Sequence, residues 1–296
     1  MSTASDLRVV ADDGTELMVR RCGNTSGPRL LVGHGVGFAV DGFCPMWRHL
    51  EPVCDLVLMD LRGHGRSSPV TPESIDGPRV MEDTKSVVRA IKETWGERPL
   101  WGVFHSYSGL TALRLEAIDP GWFAGLFLME PPAMPPPDHP AHAAFDQGRQ
   151  GLAERTLKRQ ATFGSVGELV EKYAGRKQFS RFAPGSTEAL AASLLVPDGD
   201  GLRLACAPAV EAQFYATNRD DGLWQRLDTV ACPIMMLAGG DDMRDGVPPA
   251  LTARDLAHAG GFDFVEVAGT THMMVLERPR FIAELARAFV MAHQDG

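Results

Sequence analysis

Pro99-Leu100-Trp101-Gly102-Val103-Phe104-His105-Ser106-Tyr107-Ser108-Gly109 runs from an apolar stretch into a small-residue turn, and a helical pattern begins at Leu110. A serine between a strand and a helix in this way projects its hydroxyl at the carboxyl edge of a sheet, beside the free amides that open the helix. Ser106 is therefore the candidate nucleophile. Serine also caps helices without any catalytic role, so the stretch alone leaves both readings open. Phe104 departs from the small residue usual two positions before such a serine, and it must either point aside or form the floor of a pocket.

Elsewhere in the chain, three more apolar runs end in residues that chemistry can use. Leu30-Leu31-Val32-Gly33 leads into His34-Gly35-Val36-Gly37, where glycines let the backbone approach a ligand and free the amide of Val36 to face it. Pro233-Ile234-Met235-Met236-Leu237-Ala238 ends in Gly239-Gly240-Asp241-Asp242, and Phe264-Val265-Glu266-Val267-Ala268-Gly269 ends in Thr270-Thr271-His272. Serine, acid and histidine thus succeed one another along the chain, each after a strand.

That order, with His34-Gly35, Asp60-Leu61-Arg62-Gly63-His64-Gly65-Arg66-Ser67, the Ser106 turn, the Asp242 loop and His272 before Glu277-Arg278-Pro279, resembles the α/β-hydrolase superfamily over nearly the whole length. The resemblance implies a mostly parallel, doubly wound, eight-stranded sheet and a serine–histidine–acid triad. It names no substrate.

Eight strand-like runs fit that fold, at residues 7–11, 15–22, 29–33, 55–60, 99–104, 125–130, 233–238 and 263–268. Met81, Thr84, Val88, Ile91 and Trp95 form one apolar helical stripe between them, and Phe281, Leu285, Ala288 and Phe289 form another. The connection between the sixth and seventh runs is about a hundred residues, far more than a strand–helix loop needs, so it must carry structure of its own. Helical segments are expected at 143–163, 166–173 and 186–195. The expected organisation is a core of residues 1–132 and 229–296 with a helical cap of residues 133–228, which by the resemblance covers the pocket and selects the substrate.

Composition narrows the class. A chain of 296 residues with 44% hydrophobic content can bury a sizeable core, and a formal charge of −9 with dispersed Lys and Arg gives no basic face for nucleic acid. No apolar run approaches a membrane span and the first residues show no signal-peptide pattern, which makes cytoplasm the expected compartment. The five cysteines are odd in number and lack paired spacing, so they read as reduced thiols rather than a disulfide frame or zinc site. His139 and His142 lie among prolines that would not present both to one metal. No cofactor or metal is implied, and the oligomeric state cannot be read.

The roles come from chemistry. A hydroxyl needs a base at neutral pH, and His272 is the candidate; a carboxylate must hold the imidazole tautomer, and Asp242 is favoured over the competitors Asp241, Asp245 and Glu130, with Asp241 next and then Glu130. The amides of Val36 and Tyr107 would form an oxyanion hole, while the side chains of Phe38, Phe104 and Tyr107, with those of the cap, would line an apolar pocket. His64 is a rival base, but its place between Gly63 and Gly65 favours a structural part. The expected function is hydrolysis of a small-molecule ester, lactone or related acyl bond through an acyl-enzyme on Ser106. A carbon–carbon bond hydrolase or a perhydrolase would use the same triad, and a ligand sensor could keep the fold without turnover.

Overall fold

The structure, a computed structural model, describes residues 5–294. Its centre is an eight-stranded sheet of β1 (Ser5–Val10), β2 (Glu16–Gly23), β3 (Arg29–Gly33), β4 (Asp55–Met59), β5 (Leu100–His105), β6 (Gly125–Met129), β10 (Ile234–Gly239) and β11 (Asp263–Val267), in the order β1-β2-β4-β3-β5-β6-β10-β11. β1 and β2 pair antiparallel at one edge, β2 meets β4 antiparallel, and from β4 onward every pairing is parallel. All eight expected runs are strands. They are legible because a strand covered on both faces reads as a continuous apolar run, and all five residues of β3, β4 and β6 are buried.

Alternation along these strands divides the core in two. Leu31, Val57, Leu126 and Leu128 join one apolar cluster, whereas Leu30, Val32, Leu56, Leu58, Phe127 and Met129 join the other, as the two-residue period of a strand requires. On the first face pack α2 (Gly77–Trp95), α3 (Tyr107–Ile118) and α9 (Pro248–Gly260). On the second lie the short α1 (Cys44–Trp47) and the terminal α11 (Pro279–His293).

Helix α2 starts where the Asp76 carboxylate accepts from the Arg79 amide and stops at Gly96, whose φ is 82°, a backbone setting that favours glycine. Its expected apolar stripe is buried at Thr84, Val88 and Ile91, with Met81 and Trp95 at its margins. On α11 the expected stripe is misplaced. Phe281 is 45% exposed, and the buried face is Ile282, Ala283, Ala286, Phe289 and Val290, because adjacent apolar residues offer two overlapping stripes and only packing chooses between them.

Between β6 and β10 the chain folds into α4 (His142–Leu157), β7 (Thr162–Phe163), α5 (Val166–Ala174), α6 (Ser186–Leu194), β8 (Leu195–Asp198), β9 (Gly201–Leu204) and α7 (Pro208–Thr217). β7, β9 and β8 form a small antiparallel sheet that departs from the all-helical cap expected. These strands are two to four residues long and partly polar, so they carry no periodic signal, and the 143–163 helix ends at Leu157 to make room for them. The insertion is not a detached lid: Val210 and Phe214 belong to one core cluster, while Leu190 and Leu194 belong to the other.

Among the described residues no helix is long and apolar enough to cross a membrane. All five cysteines are unpaired, and burial pushes the thiols of Cys22 and Cys232 up to about 12.

Candidate active site

Ser106 sits between the last residue of β5 and the first of α3 with φ 56° and ψ −121°. An L-residue in that region is strained, and the strain is held from both sides: the Ser106 amide donates to Met129 O at 2.8 Å and its carbonyl accepts from the Leu110 amide at 3.0 Å. Its side chain makes no capping hydrogen bond to α3, so the hydroxyl is not consumed as a helix cap. A Cβ on Gly35 would stand 2.9 Å from Ser106 Cβ. Glycine is needed there for the turn after β3 to approach the serine.

Phe104 is 1% exposed and packs edge-on against Phe123 with ring centroids 5.5 Å apart. The ring fills space left by Gly33 and Gly102 and lies in the core beneath the turn. The expectation that it lines the pocket is corrected: position 104 faces the α2/α3 side of β5, and the benzyl group fits because two neighbouring residues have no side chain. Phe38 is half-buried, its ring tilted against Phe43 and edge-on to His105.

His272 comes after β11 and is gripped at three points. Its Nδ1 lies 2.6 Å from Glu130 Oε2, its amide donates to Asp242 Oδ2 at 2.7 Å, and its carbonyl accepts from His105 Nε2 at 2.9 Å. The expected pairing of Asp242 with the imidazole is therefore not the one formed. Glu130 immediately follows β6 with φ 45°, and this left-handed turn directs a wholly buried carboxylate between two donors, the Gly239 amide at 2.6 Å and the imidazole. Asp242, on the short α8 (Gly240–Arg244), reaches only the backbone of His272. Asp241 faces away, paired with Arg181 and with Arg244. The sequence carries the same signal for Glu130 as for Asp242, an acid just past a strand.

Charge obeys this geometry. Burial pulls the His272 imidazole down, but the hydrogen bond and charge of Glu130, aided by Asp242 and Glu277, outweigh it and raise its pKa above the ordinary value. Asp242 is pushed up, first by burial and then by the neighbouring carboxylates of Glu130 and Glu277. His64 has both ring nitrogens occupied, Nδ1 against Arg62 O and Nε2 accepting from the Gly37 amide at 2.9 Å. Burial holds it neutral, its pKa lowered to about 3. It braces the turn and has no nitrogen to spare for a base.

The amides of Gly37, Phe38 and Val40 are spent on His64, Gly35 and Asp60, whereas those of Val36 and Tyr107 donate to no acceptor among the described residues. Tyr107 follows the serine directly, and Val36 follows Gly35, whose backbone lies against the Ser106 side chain. Among the described residues no group of three or more His, Cys, Asp or Glu is arranged to hold a metal; His142 instead bonds Pro135 O and His139 lies against Asp255. A cavity of about 590 Å³ lined by Arg29, Arg98, Trp101 and Arg287 opens where β3 and β5 begin, at the opposite end of the strands from Ser106.

The sequence model of the alpha/beta hydrolase family matches residues 28–285. A lipase, LipV of Mycobacterium tuberculosis, is 33% identical over 116 residues, which are 39% of this chain and 42% of that protein, so the match spans less than half of its length. Among solved structures, E-2-(acetamidomethylene)succinate hydrolase superposes with TM-score 0.78 at 19% identity, covering 99% of this chain and 100% of that one. The thioesterase domain of the curacin biosynthetic pathway gives 0.74 at 16% identity, over 97% and 100% of the two chains. An esterase from Thermogutta terrifontis gives 0.71 at 20%, over 98% and 99%.

Proposed function

The chain belongs to the alpha/beta hydrolase family, and we propose that it is a serine hydrolase that cleaves a carboxylic ester, lactone or related acyl bond of a small molecule through an acyl-enzyme on Ser106. The observation that carries this reading is the strained serine with two unspent amides on the segments beside it, and an imidazole that packs against its neighbour His105 and has Nδ1 fixed by a buried carboxylate.

In this reading His272 Nε2 takes the hydroxyl proton as Ser106 Oγ attacks the carbonyl carbon. Glu130 keeps the proton on Nδ1 and stabilises the imidazolium that forms, remaining ionised itself. The amides of Val36 and Tyr107 receive the oxyanion, and each such donor contributes about 3 kcal/mol at the transition state. The imidazolium then protonates the leaving group, whose bond to carbon breaks. Water then gives its proton to His272 as its oxygen attacks the acyl carbon, the Ser106 Oγ–carbon bond breaks, and the imidazolium returns the proton to the serine as the acid leaves. Asp242 fixes the backbone of His272, and the inserted segment over the strand ends selects the substrate. The lipase, esterase and thioesterase among the similar proteins support acyl transfer as the reaction class.

Intact mass after treatment with a fluorophosphonate tests the assignment. Wild type should gain one adduct and Ser106→Ala none, with ester turnover reduced on the order of 10⁵–10⁶-fold. Labelling or turnover that survives in the variant would remove Ser106 from the mechanism.

A further inference from the structure

Both unspent amides are braced by one helix of the inserted segment. Gly35 O accepts from the Phe38 amide at 3.2 Å, closing a turn whose third residue, Gly37, has φ 78°. The turn could still shift bodily toward or away from Ser106, so the groups packed behind it matter. From the core side, His64 Nε2 accepts the Gly37 amide. From the other side, the Glu211 carboxylate lies directly over Gly37: a Cβ there would meet Oε1 at 2.5 Å and Cδ at 2.7 Å.

Glu211 is 6% exposed, and a carboxylate so buried must be paired. Arg159 Nη1 donates to it at 2.7 Å while Nη2 donates to the Tyr173 hydroxyl at 2.9 Å. Arg159, just past the end of α4, thus ties the carboxylate to Tyr173 of α5, and the Tyr215 hydroxyl of α7 itself donates to Oε1 at 3.4 Å. One turn further along α7, on the same helix face, the wholly buried Phe214 packs edge-on against Tyr107 at 4.9 Å and against His64 at 5.3 Å. Residues 211 and 214 therefore touch the Val36–Gly37 turn, its brace His64, and Tyr107.

We propose that α7, through Glu211 and Phe214, is a positioning element for the oxyanion hole. Neither side chain touches the reacting atoms; Glu211 sets how far the Val36 amide stands from the Ser106 carbonyl site, and Phe214 does the same for Tyr107. The inference rests on the serine-hydrolase reading and adds that the segment over the site also completes it, so its seating and the strength of the oxyanion hole vary together.

The test separates reach from charge. Glu211→Asp keeps the charge but draws the carboxylate back from Gly37, whereas Glu211→Gln keeps the length and an acceptor for Arg159. The readouts are the second-order rate of fluorophosphonate labelling at Ser106 and the kcat and KM for p-nitrophenyl acetate. The Asp variant should lose about tenfold in both labelling rate and kcat with KM within about twofold, since a misplaced donor costs transition-state rather than ground-state binding. The Gln variant should stay within about threefold of wild type. If Glu211→Asp does not fold, Phe214→Leu carries the same expectation of slower labelling at unchanged KM. Unchanged labelling in the variant that folds would overturn the proposal, as would equal losses in the Asp and Gln variants accompanied by a rise in KM, which would mark a strut for the inserted segment alone. Wild type that does not label at Ser106 would instead remove the serine-hydrolase reading, and this inference with it.

Discussion

The carboxyl ends of β6 and β10 lie side by side in the sheet, each is succeeded closely by an acid, and the two acids hold the same histidine in different ways. At the end of β6, Glu130 leaves the strand in a left-handed turn and bridges the Gly239 amide and the His272 ring. At the end of β10, Asp242 rides on a five-residue helix and reaches the His272 amide. One carboxylate sets the ring and the other sets the chain that carries it. An acid's distance from a strand end therefore does not fix its role; the backbone angle at which it departs does.

The two acids should respond unequally to loss of charge, and Glu130 the more severely. Glu130→Gln removes the charge that stabilises the imidazolium and places an amide where the tautomer is chosen, so kcat should fall on the order of 10³–10⁴-fold at unchanged fluorescence-monitored fold. Asp242→Asn leaves an oxygen that can still accept from the His272 amide, and about a tenfold loss is expected in the same steady-state assay. Were the order reversed, with the Asn variant the more damaged, the β10 acid would be the partner of the ring and the expectation drawn from sequence would stand.

A smaller and finer difference lies in pH dependence. The base form of His272 is neutral, so kcat/KM should fall as pH drops through its pKa, and because carboxylate neighbours raise that pKa above 6.5 the acid limb should lie above the ordinary imidazole value. In Asp242→Asn one of the raising charges is gone, and the limb should move slightly lower; a limb that moves upward would break the electrostatic account. The linked stability has the matching sign. A raised imidazole stabilises the fold fully below its unfolded pKa and loses that contribution as pH rises through the folded value.

All eight strands of the sheet are legible in the chain because their apolar runs are continuous, and the places of Ser106 and His272 just past strand ends are legible for the same reason. Three matters are not. The choice between Glu130 and Asp242 depends on β6 and β10 being neighbours and on a φ of 45°, neither of which has a residue-type signature when the residue is not glycine. The β7-β9-β8 sheet is too short to show a period. Phe104 is misread from sequence because its accommodation depends on Gly33, distant along the chain and adjacent only across the β3–β5 ladder.

That accommodation ties three positions into one inheritance. Because the benzyl ring of Phe104 occupies the volume that side chains at 33 and 102 would need, none of the three can drift alone: a larger residue at Gly33 or Gly102 first requires a small one at 104, and a small one at 104 leaves a void until its neighbours grow. Ser108 crowds position 33 and Leu126 position 102 as well, so among descendants of this chain the three positions should change together and with these neighbours.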